Sequence, residues 1–314
     1  MFSDGKKKIK KIKKTKKIRW SGGKKLIAIL VFAAGVSLMA YPWISNWLYN
    51  RATEASVQTY EEEMAAAEAE DLYEYWTDAR EYNDSLLQAD VVLADPFTYE
   101  SVSLADGPGY AGLLNLDGSG IMCFISIPKI DVYLPVYHGT SEESLSKGAG
   151  HVEGTALPTG TVGGRPIISA HTGVNSAKMF SDLTQLEEGD LFFLYVLDTV
   201  YAYRVVETDV IEPDNVSSID EEPGRDLVTL MTCTPYGVNS HRLIVTGERT
   251  AYTKETVDEA ESEEMAEDTE WMCAYKKALF IGICIVALFL AAAMLVRAAV
   301  RRRKGVQKRK GGNA

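Results

Sequence analysis

The chain has 314 residues, a formal net charge of −11 and 46% hydrophobic residues, enough for a sizeable core but unevenly distributed. Its four cysteines, Cys123, Cys233, Cys273 and Cys284, are too few and too scattered for a disulfide framework or a zinc site. Between residues 26 and 275 stand 11 basic and 43 acidic residues, a balance of −32 that argues against nucleic acid as a partner of this section.

The elements follow in chain order. Residues 1–25 form a basic tail with 12 Lys and Arg. Residues 26–49 open with the uncharged apolar run Leu26 to Ala40 and continue through Tyr41, Trp43, Trp47 and Tyr49, rings suited to a lipid–water boundary. This stretch reads as a transmembrane signal anchor, with a cleavable signal peptide as the competing reading; the large Leu38 stands where cleavage requires a small residue. Residues 276–297 carry a second apolar run, Ala278 to Val296, close to the roughly 20 residues that cross about 30 Å of hydrocarbon. Residues 298–314 are again basic. Positive flanks stay in the cytoplasm. The expected topology therefore has two spans, both termini cytoplasmic, and residues 50–275 outside a plasma membrane.

From Arg51 to about Gln88 the chain lacks proline and glycine and places Tyr60, Met64, Leu72, Trp76, Tyr82 and Leu86 at near-helical intervals, which predicts one or two helices. Asp95-Pro96-Phe97 and Asp106-Gly107-Pro108-Gly109 then mark loops, so residues 50–119 are a helical segment followed by a loop. Residues 120–250 change texture to short β-rich runs: Met122 to Ile127, Val132 to Val136, Pro166 to Ser169, Leu191 to Val196, Tyr201 to Val210, Asp226 to Thr232 and Arg242 to Glu248. A short helix is expected over Lys178 to Leu186. This mainly β pattern suggests a closed barrel or a sandwich. Residues 251–275 are an acidic tether, a solvated helix or a disordered spacer. No internal repeat is present.

Asp226 to Thr232 delivers Cys233 to the end of a strand, just before the turn Pro235-Tyr236-Gly237. A nucleophile needs that placement, although a buried structural cysteine would look the same. Its company is His171, in Ser169-Ala170-His171-Thr172-Gly173, and Arg242, each beside an expected strand. The three suit acyl transfer. A cation raises the thiolate fraction of a thiol whose ordinary pKa is near 8.5. Imidazole exchanges protons with leaving and entering amines. Guanidinium orients a carbonyl or stabilises an oxyanion.

Thr229-Leu230-Met231-Thr232-Cys233 resembles the TLxTC signature of sortases, and Ser169-Ala170-His171 resembles their histidine loop. Asn239-Ser240-His241-Arg242-Leu243-Ile244-Val245 resembles their arginine strand. Tyr137-His138-Gly139-Thr140, Gly148-Ala149-Gly150-His151 and Cys233-Thr234-Pro235-Tyr236-Gly237 look like the class C, pilin-polymerising sortases of Gram-positive bacteria. The resemblance implies an eight-stranded β-barrel that cleaves an LPxTG-like sorting signal between Thr and Gly through a thioester. The acyl group then passes to a pilin lysine amine. By the same resemblance Cys233 is the nucleophile, His171 the general acid and base, and Arg242 the oxyanion or substrate-orienting group.

Asp95-Pro96-Phe97 resembles the class C lid, with Phe97 where many members carry Trp. Asp95 is expected to pair with Arg242, and Phe97 to cover the thiol. His138 and His151, among small residues, read as structural; His241 should point away from a site that Arg242 enters, because strand neighbours face opposite sides. Cys123 reads as a buried strand residue. Nothing demands a metal or an organic cofactor, although the many carboxylates leave calcium open. Two rivals stand beside this reading: a housekeeping sortase that anchors surface proteins to cell-wall peptide, and a non-enzymatic membrane scaffold.

Overall fold

The computed structural model describes residues 22–86, 93–98, 109–173, 178–262 and 276–288, with 291, 294, 295 and 298. The tail before residue 22, the tether beyond 262 with Cys273, the Asp106-Gly107-Pro108 turn, the end of the second apolar run and the final basic residues lie outside that description. The chain divides into two compact units, residues 1–41 and 42–314. In the first, the described part is the beginning of helix α1 (Gly22–Ala66). Residues 276–288 are helical as well. Among the described residues, no helix is long and apolar enough to cross a membrane.

The second unit is built on a closed barrel. Its strands are β1 (Ile121–Ile127), β2 (Val132–His138), β3 (Ala149–His151), β4 (Ile167–Ser169), β5 (Leu191–Val196), β6 (Thr199–Ile211), β7 (Leu227–Thr234) and β8 (His241–Thr250). They close in the order β1-β2-β3-β4-β7-β8-β6-β5, so the barrel rather than the sandwich is formed. The interior is filled by side chains such as Ile125, Ile168, Phe192, Tyr203, Leu230 and Val245, all fully buried. Phe192 and Tyr203 stack 5.5 Å apart. A Cβ on Gly247 would collide with that Phe192 ring, so glycine is what lets β8 approach it. Cys123 is fully buried in β1, and burial pushes its thiol far above the ordinary range.

Helix α2 (Ala69–Leu86) presents Trp76, Ala79, Asn83 and Leu86 at three- and four-residue intervals to the barrel. Asn83 fixes the docking: its Nδ2 donates to Thr159 Oγ1 (2.9 Å) and Leu157 O (3.2 Å), and its Oδ1 accepts from Leu157 N (2.7 Å). The buried Tyr60 of α1 accepts from Leu197 N (3.0 Å) and meets Phe124 edge-on at 5.3 Å. Two short elements escaped the sequence reading, α3 (Glu142–Lys147), capped by the Ser141 side chain, and β3. The helix expected over Lys178 to Leu186 is absent; only a 3-10 turn forms at Leu183–Gln185. Met179, with φ of 43°, interrupts helical backbone there, and i to i−3 bonds from Ser181 and Leu183 take over. Part of the tether forms α4 (Lys254–Ser262), which is docked rather than solvated: Ala260 and Val257 pack on Leu191 and Phe193, and Arg204 pairs with Glu259 at 2.9 Å.

Replacing Asn83 by Ala strands the Leu157 amide in a buried setting. We expect a loss of about 2–3 kcal/mol in chemical denaturation, read from the fluorescence of Trp76, which sits on the same helix.

Candidate active site

Strands β7 and β8 are adjacent and antiparallel, and their register sets Cys233 directly opposite Arg242. The connection turns within Pro235 to Asn239: Val238 N and Asn239 N both donate to Pro235 O (3.0 and 2.9 Å), Asn239 adopts φ of 58°, and the Thr234-Pro235 peptide is cis. On the other side β4 runs parallel to β7, pairing Ile168 with Leu230 and Ser169 with Met231. Beyond the last pair, Thr232 Oγ1 donates to Ala170 O (2.7 Å). One residue further on each strand come His171 and Cys233. Backbone register thus assembles all three expected residues at one rim.

Above them lies the turn formed by residues 93–98. Asp95 and Arg242 form a bidentate pair, with Nε to Oδ1 and Nη2 to Oδ2 both at 2.7 Å, and their side chains are 2% and 5% exposed. Nη1 of Arg242 donates to Asn239 O (3.1 Å) and His241 O (3.0 Å), so each of the three nitrogens donates a hydrogen bond. Thr98 Oγ1 donates to Asp95 Oδ2, and Thr98 N to Asp95 O (3.2 Å), closing the turn around buried Pro96. The Phe97 ring lies 5.2 Å from the Arg242 guanidinium and 5.8 Å from the His171 ring. With Leu93 it packs on a small cluster of Val152, Ile167, Val216, Met231 and Ile244.

Cys233 is 8% exposed. Burial pushes its thiol up, the Arg242 charge opposes this, and the Asp95 carboxylate adds to it, leaving the pKa raised. Burial also works against the charge of Arg242, but Asp95 and Cys233 outweigh it and hold the guanidinium above its usual value. Glu142 Oε2, on the exposed first turn of α3, lies 3.9 Å from His171 Nε2. No sequence signal marked Glu142, since α3 itself went unread. Leu93, Val152 and Val216 were also missed; apolar residues in irregular loops carry no periodicity to reveal a shared floor.

The other histidines sit elsewhere. His151 is fully buried, receives Tyr110 Oη at Nδ1 (2.8 Å) and donates from Nε2 to Ala156 O (2.8 Å); burial lowers its pKa to about 4. His138 bonds Gly120 O and Leu113 O. His241 turns to Ser240 Oγ (2.8 Å). Among the described residues, no three His, Cys, Asp or Glu side chains gather in a way that could hold a metal ion.

Comparison with known proteins bears on the fold and the family. The Sortase domain model matches residues 125–250. The structure of sortase C-1 from Streptococcus pneumoniae is 43% identical, covering 63% of this chain and all of that one, with a TM-score of 0.58. A pilus-related sortase C of Group B Streptococcus is 39% identical, covering 62% of this chain and 97% of that one, with a TM-score of 0.57. Sortase A of Bacillus anthracis is 26% identical over 226 residues, 71% of this chain and 92% of the relative. The chain belongs to the sortase family of cysteine transpeptidases.

The two charges act oppositely on the thiol, which gives a test. Asp95→Ala removes the influence that disfavours thiolate and releases Arg242 to favour it. Alkylation of Cys233, followed by mass mapping, should then accelerate several-fold at neutral pH, with its pH–rate curve moved to lower pH. A curve moved upward would contradict this electrostatic account.

Proposed function

We propose that Cys233, His171 and Arg242 carry the transpeptidase reaction and that Asp95, Pro96 and Phe97 are a lid over them. The observation that carries this reading is the strand register that sets Cys233 between Arg242 and the His171 loop, beneath the Asp95 turn.

The chemistry follows from the groups. With the lid displaced, Cys233 thiolate attacks the Thr carbonyl of an LPxTG-like signal. Arg242, freed from Asp95, turns its donors to the oxyanion. The Thr–Gly bond breaks, His171 protonates the departing Gly amine, and the acyl group stays on Sγ as a thioester. A lysine amine of a pilin subunit then attacks the thioester, giving its proton to His171; an isopeptide bond forms and Cys233 leaves as thiolate. The pilus-related relatives support a pilin acceptor over cell-wall peptide. Substrates of this kind are held at the same membrane as the enzyme, which confines the encounter to a surface.

The anchors belong to the same proposal. The apolar runs at 26–49 and 276–297 and the basic residues outside them support two spans, cytoplasmic termini and an external barrel at a Gram-positive plasma membrane. Proteolysis of intact cells should remove the barrel while tags at both termini stay protected; digestion of either tag would overturn the topology.

Intact mass after incubation with an LPxTG peptide tests the chemistry. The adduct should equal the peptide through its threonine, be absent in Cys233→Ala and be more abundant in Asp95→Ala. Arg242→Lys should lower kcat/KM by about 10²-fold, the effect of losing one preorganised oxyanion donor. Offering pilin lysine and wall-peptide amines side by side separates polymerisation from anchoring by which product forms.

A further inference from the structure

The Ser169 hydroxyl is fully buried and has no hydrogen-bond partner among the described residues. Such a group is costly in a folded protein and calls for a reason. Its position on the strand supplies one. Along β4, Ile168 and the following Ala170 face the barrel interior, while Ile167 faces the outer cluster under Leu93 and Phe97. Side chains alternate along a strand, so Ser169 and His171 share the outer face with Ile167. Its partner across the parallel pair is Met231, two residues before Cys233 and part of that outer cluster. Its partner on β3 is Gly150, which contributes no side chain beside it. Phe97 packs both on the cluster containing Ile167 and on the His171 ring, and Ser169 lies between those two residues.

We infer that Ser169 is a substrate-positioning residue, whose hydroxyl hydrogen-bonds the main chain of the sorting signal on the acyl side of the cleaved bond. The inference rests on the proposed roles of Cys233 and the lid. Two residues of strand span about 7 Å, so Ser169 lies level with a peptide group roughly two residues before the scissile carbonyl. An extended peptide in place of the lid offers there both a carbonyl to accept the hydroxyl proton and an amide to donate to its oxygen. With the turn of residues 93–98 closed over the site, the hydroxyl has no partner among the described residues.

The test uses the full chain in detergent, carrying Asp95→Ala to open the site, alone or with Ser169→Ala or Ser169→Thr. Acylation of Cys233 is followed against LPxTG peptide concentration, together with alkylation by iodoacetamide and the melting temperature. We expect Ser169→Ala to raise the half-saturating peptide concentration about tenfold, the equivalent of one hydrogen bond. Alkylation should be unchanged, the melting temperature equal or higher, and Ser169→Thr should restore part of the affinity. Unaltered half-saturation in Ser169→Ala would overturn the role of Ser169, as would a joint fall in acylation, alkylation and melting temperature. Absence of a Cys233 thioester in Asp95→Ala alone would instead overturn the reaction on which the inference rests.

Discussion

The buried pair between Asp95 and Arg242 is the constraint around which the site is organised. It joins residues 147 apart in sequence, at 2.7 Å and almost out of contact with water. Removing one partner of such a pair typically costs about 3–5 kcal/mol, because the other is left charged and desolvated. Another anion brought to Arg242 relieves that cost, which is what the proposed role of Arg242 as an oxyanion group requires. The same pair bears on the thiol: burial is the main cause of the raised pKa of Cys233, the Arg242 charge works against it, and the Asp95 carboxylate adds to it.

The rest of the turn is held by weaker means. Phe97 offers its ring to a guanidinium and an imidazole, contacts worth roughly 0.5–2 kcal/mol. Leu93 and Phe97 rest on five apolar side chains at the outer face of β4, β7 and β8 and their flanking loops.

Much of this was legible in the sequence, for physical reasons. Strand β5 is a continuous apolar run, β1 is one but for Ser126, β7 mixes apolar residues with β-branched threonine, and the turn after Cys233 is written in proline, glycine and asparagine. Arg242 follows Cys233 by nine positions, which leaves room for one tight hairpin that brings them face to face. The histidine loop, by contrast, is tied to the cysteine by a parallel pairing of distant segments, which spacing alone does not specify; resemblance supplied it. β3 was missed because it is a three-residue strand containing Gly150, where a Cβ would strike Gly139 O; the need for close approach defeats β-propensity. Lys178 to Leu186 failed in the opposite way, since its helical composition yielded to a left-handed Met179. The docking of α4 depended on one apolar face, Val257 and Ala260, too small to register against surrounding acid.

Strand β7 pairs with β8 along its whole length, through Cys233, and with β4 on its other side as far as Met231. Its amides therefore belong to the class that exchanges with solvent only when the whole barrel opens, whereas among the described residues the Asp95 turn is closed by one backbone hydrogen bond, Thr98 N to Asp95 O, the pattern of segments that open locally. Two clocks run in one site. Cys233 keeps its place for as long as the protein stays folded, and the turn above it keeps the shorter time.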